Sequence, residues 1–334
     1  MSKKIIQIRQ GYRIFQLTWI INNICTNHCD YCPTVLHTGT NHHYDWEKAK
    51  SFAQRLIKQH PKIRLAISGG EPTVSPFFPE LVDLFYAAGH SVGVTTNGAR
   101  TAQYWSKIAH KFEYICFSYH PSQPDPEFLD KVLEAAKHTV VTVRVMMDSR
   151  HWDQAQQFYE DCKKYDMFNK EPVKILPEMA FNNIGSQYSE EQLKWLENTP
   201  TIDLTNPIYK ENLNYRRTEN RMEVYYDDGD YDLYADAHRL ILSDQNHFAG
   251  WSCNIGLESL FIHYDGSVKK ANCFQGGNLF HINDHEKHQL PTKAEICYQD
   301  ICFCGTDVLI SKVPIFDQDS ELVRKSTVIR FKQE

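Results

Sequence analysis

From residue 14 to about 198, short runs rich in Val, Ile and Phe alternate with longer amphipathic stretches. Strand-length apolar runs separated by helical periods are the pattern of a parallel α/β sheet or barrel. The candidate strands are residues 14–21, 63–68, 91–96, 113–118, 139–147 and 172–177. Between them lie candidate helices at 45–60, 79–88, 126–138 and 152–164, with Asp45 and Asp125 as helix caps. Six strand and helix units fit this span, so residues 1–198 read as one α/β domain built on a parallel sheet or barrel.

Residues 199–222 lose that rhythm and fill with Thr, Asn, Pro and charge, as a linker or domain crossing would. Residues 223–334 read as a smaller, β-rich and cysteine-rich domain. Within it, Leu260 to Lys269 predicts a hairpin, because Asp265-Gly266 supplies the positive backbone dihedrals of a tight two-residue turn.

Composition narrows the function classes. Thirty-six basic against 42 acidic residues give a formal charge of -6, which argues against broad binding to nucleic acid or anionic membranes. Lys3 and Lys4 are followed by Gln7, Arg9, Gln10 and Arg13, so no apolar signal segment forms, and no stretch approaches the ~20 apolar residues of a membrane span. The ten cysteines therefore predict a reducing, cytoplasmic setting, where clustered thiols mean metal or redox chemistry sooner than disulfides.

Three of them, Cys25, Cys29 and Cys32, follow the first predicted strand in Cys-Thr-Asn-His-Cys-Asp-Tyr-Cys. Three thiolates occupy three corners of a four-iron cube and leave one iron with an open coordination position. On a helix the three would share one face and could simply pack, but Asn27, His28, Asp30 and Pro33 make the segment a polar loop. A zinc site built with His28 is the other metal reading. Ser68-Gly69-Gly70-Glu71-Pro72 follows the second predicted strand, where glycines let backbone approach a ligand and a carboxylate can accept hydrogen bonds. An ordinary strand-to-helix turn would carry the same residues.

Cys-x3-Cys-x2-Cys with Tyr31 before the last cysteine, followed by Gly-Gly-Glu-Pro after the next strand, resembles the radical S-adenosylmethionine (SAM) superfamily over residues 14 to about 180. The resemblance implies a partial (β/α)6 barrel whose cysteine loop binds a [4Fe-4S] cluster and whose open iron is chelated by SAM. Reductive cleavage of SAM to a 5'-deoxyadenosyl radical, which abstracts hydrogen from an unactivated C-H position, is the implied activity. Gly69, Gly70, Glu71 and Pro72 then match the motif that meets the SAM ammonium. Tyr31 matches an aromatic position near the adenine, and Ser118 matches a polar position near the ribose. Where relatives carry an aspartate two residues after Ser118, this chain has His120. Thr95, Thr96 and Asn97 end strand three and are candidate cofactor contacts, although Asn97-Gly98 would also serve as a plain turn.

Arg144 and Asp148 share one face of strand five with Met146, which predicts a pair beside the SAM methionine or ribose groups, or an ordinary surface pair. Leu176-Pro177-Glu178-Met179 follows strand six, where relatives contact adenine, so Met179 is a candidate contact and Glu178 a candidate acid or base.

Cys253, Cys273, Cys297, Cys302 and Cys304 crowd the last quarter of the chain. Cys297-x4-Cys302-x-Cys304 is dense for simple packing, and a zinc site or one auxiliary [4Fe-4S] cluster would use it. The set resembles the SPASM or twitch extensions of radical SAM enzymes, in which cysteines bracket a hairpin before a terminal group. Gly266-x6-Cys273 is longer than the usual interval, and five thiols favour a single-cluster, twitch-like form with one thiol spare; the spacing leaves open which. Cys116 and Cys162 read as core packing. His281, His285 and His288 have helical metal spacing within a run of polar residues and read as a solvated segment, while Lys269-Lys270 and Arg216-Arg217 read as surface charge.

The resemblance implies an oxidoreductase acting on a peptide by oxidation, crosslinking or epimerisation. A small molecule such as a sugar, nucleoside or cofactor precursor is the alternative substrate, and a non-enzymatic zinc or iron-sulfur interaction module the remaining reading. The implied partners are a low-potential electron donor of flavodoxin or ferredoxin type and a separate peptide-recognition protein, since only thirteen residues precede the predicted barrel.

Overall fold

The computed structural model describes residues 3–10, 14–37, 39, 44–164, 173–179, 188–198, 222–235 and 237–315. The segment expected to link two domains, 199–222, lies outside them except at its last residue, as do Arg216 and Arg217. In chain order the elements are β1 (Ile5–Gln10), β2 (Phe15–Ile20), α1 (Trp46–Gln59), β3 (Ile63–Ser68), α2 (Phe78–Ala87), β4 (Ser91–Thr96), α3 (Ala102–Ile108), β5 (Tyr114–Tyr119), α4 (Phe128–Ala136), β6 (Val140–Met147), α5 (Trp152–Lys164), β7 (Val173–Met179) and α6 (Glu190–Asn198). There follow β8 (Met222–Tyr226), β9 (Tyr231–Ala235), α7 (Ala237–Leu242), β10 (Trp251–Cys253), β11 (Ser259–Ile262), β12 (Ser267–Lys269), β13 (Asn278–His281), β14 (Glu295–Ile296), α8 (Gly305–Val308) and β15 (Lys312–Pro314).

Strands β2 to β7 pair in sequence order and in parallel, with helices between them, as the alternation predicts. This is the open, TIM-like barrel of six strands. Its core joins Leu17, Trp19, Leu65, Ile67, Val94, Phe117, Val143 and Met147 from the strands to Phe52, Leu56, Phe85 and Val132 from the helices, all buried. Burying one large apolar side chain contributes about 1.5–3 kcal/mol, so the strand and helix pattern is held by its own alternation. Asp45 caps α1, accepting from Glu47 N at 2.8 Å and Lys48 N at 3.4 Å, and Cys162 is core, as expected.

Pairing crosses the expected boundary near residue 198 in both directions. Strand β1 lies ahead of residue 14, where the sequence reading places no strand. It is an interior strand, hydrogen-bonded to β8 and β15 in a six-stranded sheet of order β14-β10-β15-β1-β8-β9. Ile5, Ile6 and Ile8 are buried, and so is Gln7. Conversely, β11, β12 and β13 extend the barrel sheet, with β11 parallel to β2.

The predicted hairpin forms between β11 and β12, but its turn is longer than two residues. His263 N bonds Ser267 O and Gly266 N bonds His263 O, so Tyr264, Asp265 and Gly266 make the loop, with Gly266 at φ 84°. The αL residue closing a three-residue turn has to be small, and Gly266 fills it.

The His281 to His288 run is a docked 3-10 turn rather than a solvated one. His285 is buried with its ring 5.2 Å from Phe52, and Arg55 donates to the carbonyls of His285 and His288. Burial pushes the pKa of His285 down, and does the same to His60 and His90. A histidine held neutral in the fold contributes stability above its unfolded pKa and loses it as pH falls below about 6.5 towards the lowered folded value. Thermal unfolding is therefore expected at a lower temperature at pH 5.5 than at pH 7.5, with His285→Leu narrowing the difference. Superimposable melts of the wild-type chain at the two pH values would contradict this.

Candidate functional site

At the carboxyl ends of the barrel strands, the cysteine loop leaves β2 and the Gly-Gly-Glu-Pro loop leaves β3. The two loops are locked together through backbone. Gly70 N bonds Asn22 O at 3.1 Å, Glu71 N bonds Ile24 O at 2.6 Å, and Asn22 Nδ2 returns to Glu71 O at 2.8 Å. A Cβ on Gly69 would stand 2.5 Å from Asn22 Oδ1, and one on Gly70 would stand 2.2 Å from Ile24 O and 2.3 Å from Leu36 O. Close approach does explain the glycines, and what they approach is the backbone of the cysteine loop.

Glu71 is fully buried, and its carboxylate faces inward. Oε1 accepts from Thr73 N at 3.0 Å, Thr73 Oγ1 at 2.6 Å and Thr96 Oγ1 at 2.8 Å, and Oε2 accepts from Asn97 N at 2.7 Å. Burial pushes its pKa up while those donors pull against it. Pro72 opens the 3-10 turn that follows. The side chain of Asn97 continues the chain of contacts, donating to Thr26 Oγ1 at 2.9 Å and Cys25 Sγ at 3.4 Å. Strand ends β3 and β4 thus position the loop that carries the thiols.

Around the three cysteines, Cys29 and Tyr31 are buried against Met146 of β6, with Cys32 packed on them. Cys25 and Cys32 are half-buried, and Cys32 N bonds Cys29 O at 3.0 Å. Burial raises all three thiols, and with the charges of Cys25 and Cys29 it takes Cys32 to about 11. Thiolates crowded this way require positive charge between them, which an iron-sulfur core supplies. His120, just past β5, stacks on Tyr31, hydrogen-bonds its hydroxyl and lies 3.5 Å from Cys29 Sγ through Nδ1. Its sequence signal was the departure from the expected aspartate. Burial lowers its pKa to about 4, so the ring is neutral here.

Ser118 is buried at the end of β5, in register with Arg144 on β6. Asp148, expected to pair with Arg144, is buried and held on both oxygens by Arg150, at 3.0 Å each. Arg150 also reaches Asp30 at 3.2 Å, tying β6 to the cysteine loop. Sequence reading missed Arg150, two residues beyond the alternating face. Met179 ends β7 in register with Met147, and the side chains of that strand lie outside the described residues.

The second set of cysteines comes from β10, the turn after β12 and the segment after β14. Cys253, Cys273, Cys297 and Cys302 line one small cavity with Phe248, Ile255, Asp307 and Lys312. Cys304 is not among its lining; it stands at the amino end of α8. Burial, with the charges of Asp307 and the other thiols, raises Cys273 and Cys302 to about 12. Asp307 is buried and accepts from Asn272 N at 3.2 Å, Asn272 Nδ2 at 2.9 Å and Cys273 N at 2.6 Å, which fixes the Cys273 turn. Four soft donors around one cavity suit an iron-sulfur cube or zinc. Among the described residues, no three His, Cys, Asp or Glu side chains close on a single-ion site.

A larger cavity of about 890 Å³ lies at the opposite end of the strands, lined by Gln10, Phe15, His60 and Lys62. It contains none of the residues of the cysteine or Gly-Gly-Glu-Pro loops.

Residues 19–169 match the model of the Radical SAM superfamily. The chain contains a radical SAM domain. A domain of this family supports a [4Fe-4S] cluster and SAM as cofactors, and an enzyme. No curated protein matches the chain. Among solved structures, the chain is similar to native anSMEcpe with bound AdoMet and Kp18Cys peptide, at 17% identity over 81% of this chain and 78% of that one, with a TM-score of 0.47. It is also similar to Streptococcus suis SuiB bound to S-adenosylmethionine, at 12% identity over 82% of this chain and 62% of that one, TM-score 0.46. No helix among the described residues of the chain is long and apolar enough to cross a membrane.

Proposed function

We propose that the chain is a radical SAM oxidoreductase that modifies an unactivated C-H position of a peptide, using one auxiliary [4Fe-4S] cluster besides the SAM-binding one. The observation that supports this reading is the second set of four thiols around one cavity, brought together from β10, the turn after β12 and the segment after β14. Bound cluster and SAM supply one-electron cleavage of a sulfonium bond and, through it, hydrogen-atom abstraction from carbon. Cys25, Cys29 and Cys32 would hold the first cluster. The Gly69 to Pro72 loop, Thr96, Asn97, Ser118, Arg144 and Met179 would shape the SAM pocket around it, and the buried Tyr31 with the half-buried His120 would close it to water.

Cys253, Cys273, Cys297 and Cys302 would ligate the auxiliary cluster, leaving Cys304 as the spare thiol. The peptide preference comes from the likeness of this cysteine set to SPASM and twitch extensions. A low-potential flavodoxin or ferredoxin type donor would supply the electron, a separate recognition protein would present the peptide, and the setting would be cytoplasmic.

Anaerobic reconstitution of the full chain is expected to give about eight irons and eight sulfides, from two cubes. Cys297→Ala and Cys302→Ala should each lose about four of those irons while uncoupled SAM cleavage persists. Cys304→Ala should keep all of them. Iron loss in Cys304→Ala but not in Cys302→Ala would reverse the ligand assignment. Incubation with SAM, reductant and candidate peptides should show, by mass spectrometry, a two-hydrogen loss, a crosslink or deuterium uptake from solvent. Turnover of a sugar or nucleoside with no peptide product would replace the substrate class.

A further inference from the structure

Strand β15 runs between β10 and β1, and its first residue, Lys312, stands in register with Cys253 on one side and Ile8 on the other. A lysine on an interior strand is uncommon, and this one is only 3% exposed. Its side chain lines the cavity of the four thiols. Nζ donates to Asp307 O at 2.8 Å and Val308 O at 3.0 Å, the carbonyls of α8, and lies 4.7 Å from the centre of the Phe248 ring.

Among the described residues no carboxylate lies within ion-pair distance of Nζ. The carboxylate of Asp307 is turned to Asn272 and Cys273 instead. The ammonium is therefore held by neutral carbonyls and an aromatic face, in the cavity that the four thiols also line. Burial raises the Cys253 and Cys302 thiols, Asp307 adds to the rise, and the field of Lys312 pulls against both.

We propose that Lys312 sets the reduction potential of the auxiliary cluster, a role that rests on the ligand set proposed above. A cube with four thiolates carries a net charge of about -2, which becomes about -3 on reduction. One electron arrives from a low-potential one-electron donor, and no bond or proton moves. A fixed cation beside the cluster in a water-poor cavity stabilises the more negative state more strongly. Lys312 thereby raises the potential and makes the cluster a better electron acceptor. It acts through the cluster and touches no substrate, so it is a positioning residue of the redox site.

The test uses the full chain carrying Cys25→Ala, Cys29→Ala and Cys32→Ala, reconstituted anaerobically, so that the auxiliary cluster alone is read. Iron is counted, and the cluster is titrated with dithionite and redox mediators, followed by electron paramagnetic resonance. In this background Lys312→Met is expected to keep its iron and to lower the ratio of reduced to oxidised cluster at a set potential at least tenfold, ~59 mV for one electron. Lys312→Arg, which retains the charge, should titrate with its parent. Identical titrations for Lys312→Met and its parent, at equal iron, would overturn the proposal. If Lys312→Met loses its iron, Lys312→Arg decides. Retained iron and potential there support the charge, whereas loss in both variants assigns Lys312 to packing and overturns it. Absence of iron from the parent with Lys312 intact would sink the auxiliary cluster itself, a failure visible before any Lys312 variant is made.

Discussion

Cys29→Ala is expected to lower 5'-deoxyadenosine formation from SAM to the background of a protein-free control, and to reduce reconstituted iron from about eight to about four per chain. Of the three thiols in the first loop, Cys29 is the buried one, packed between Tyr31 and Met146 and beside His120. Its loss leaves two half-buried ligands, Cys25 and Cys32, for a cube that needs three plus SAM. Serine would test the same point with less change in volume, since an oxygen ligand is harder than sulfur and holds iron-sulfur cores less well. Iron assay and chromatography of the nucleoside products measure the two effects separately. Normal 5'-deoxyadenosine production by Cys29→Ala would remove the loop from the chemistry.

Glu71→Ala is the substitution expected to cost most stability. It deletes the acceptor of four hydrogen bonds, from Thr73 N, Thr73 Oγ1, Thr96 Oγ1 and Asn97 N, in a fully buried position. Each buried donor left without a partner costs about 1–3 kcal/mol, and partial relaxation makes ~3–5 kcal/mol a reasonable total. The damage extends beyond the strand ends, because Asn97 also supports Thr26 and Cys25. Denaturant unfolding should show the loss in midpoint, and reconstituted iron should fall with it. Glu71→Gln, which keeps one acceptor oxygen but turns a donor towards Asn97 N, should lie between. An unchanged midpoint for Glu71→Ala would mean that the carboxylate is not the clamp described here.

The barrel strands were legible because each alternates or runs apolar over the length of a sheet strand, and local pattern alone supports that reading. The cysteine and Gly-Gly-Glu-Pro loops were legible because few other chemistries use those residues at that spacing. Strand β1 was not legible. Gln7 interrupts its apolar run, and its partners Val224 and Lys312 are more than two hundred residues away. The His281 to His288 segment looked solvated because its neighbours are polar, yet α1 covers His285 and Arg55 satisfies its carbonyls. Asp148 was paired by alternation with Arg144, whereas the turn after β6 brings Arg150 back onto it.

Sequence by itself determined the barrel class, the three-thiol loop and its partner loop, and the presence of a second set of five cysteines, since these depend on residue type and short-range spacing. Only the tertiary structure decided which four of those five share a cavity, and that Lys312 stands among them. Those facts depend on β15 lying between β1 and β10, a pairing of distant segments that no local pattern encodes.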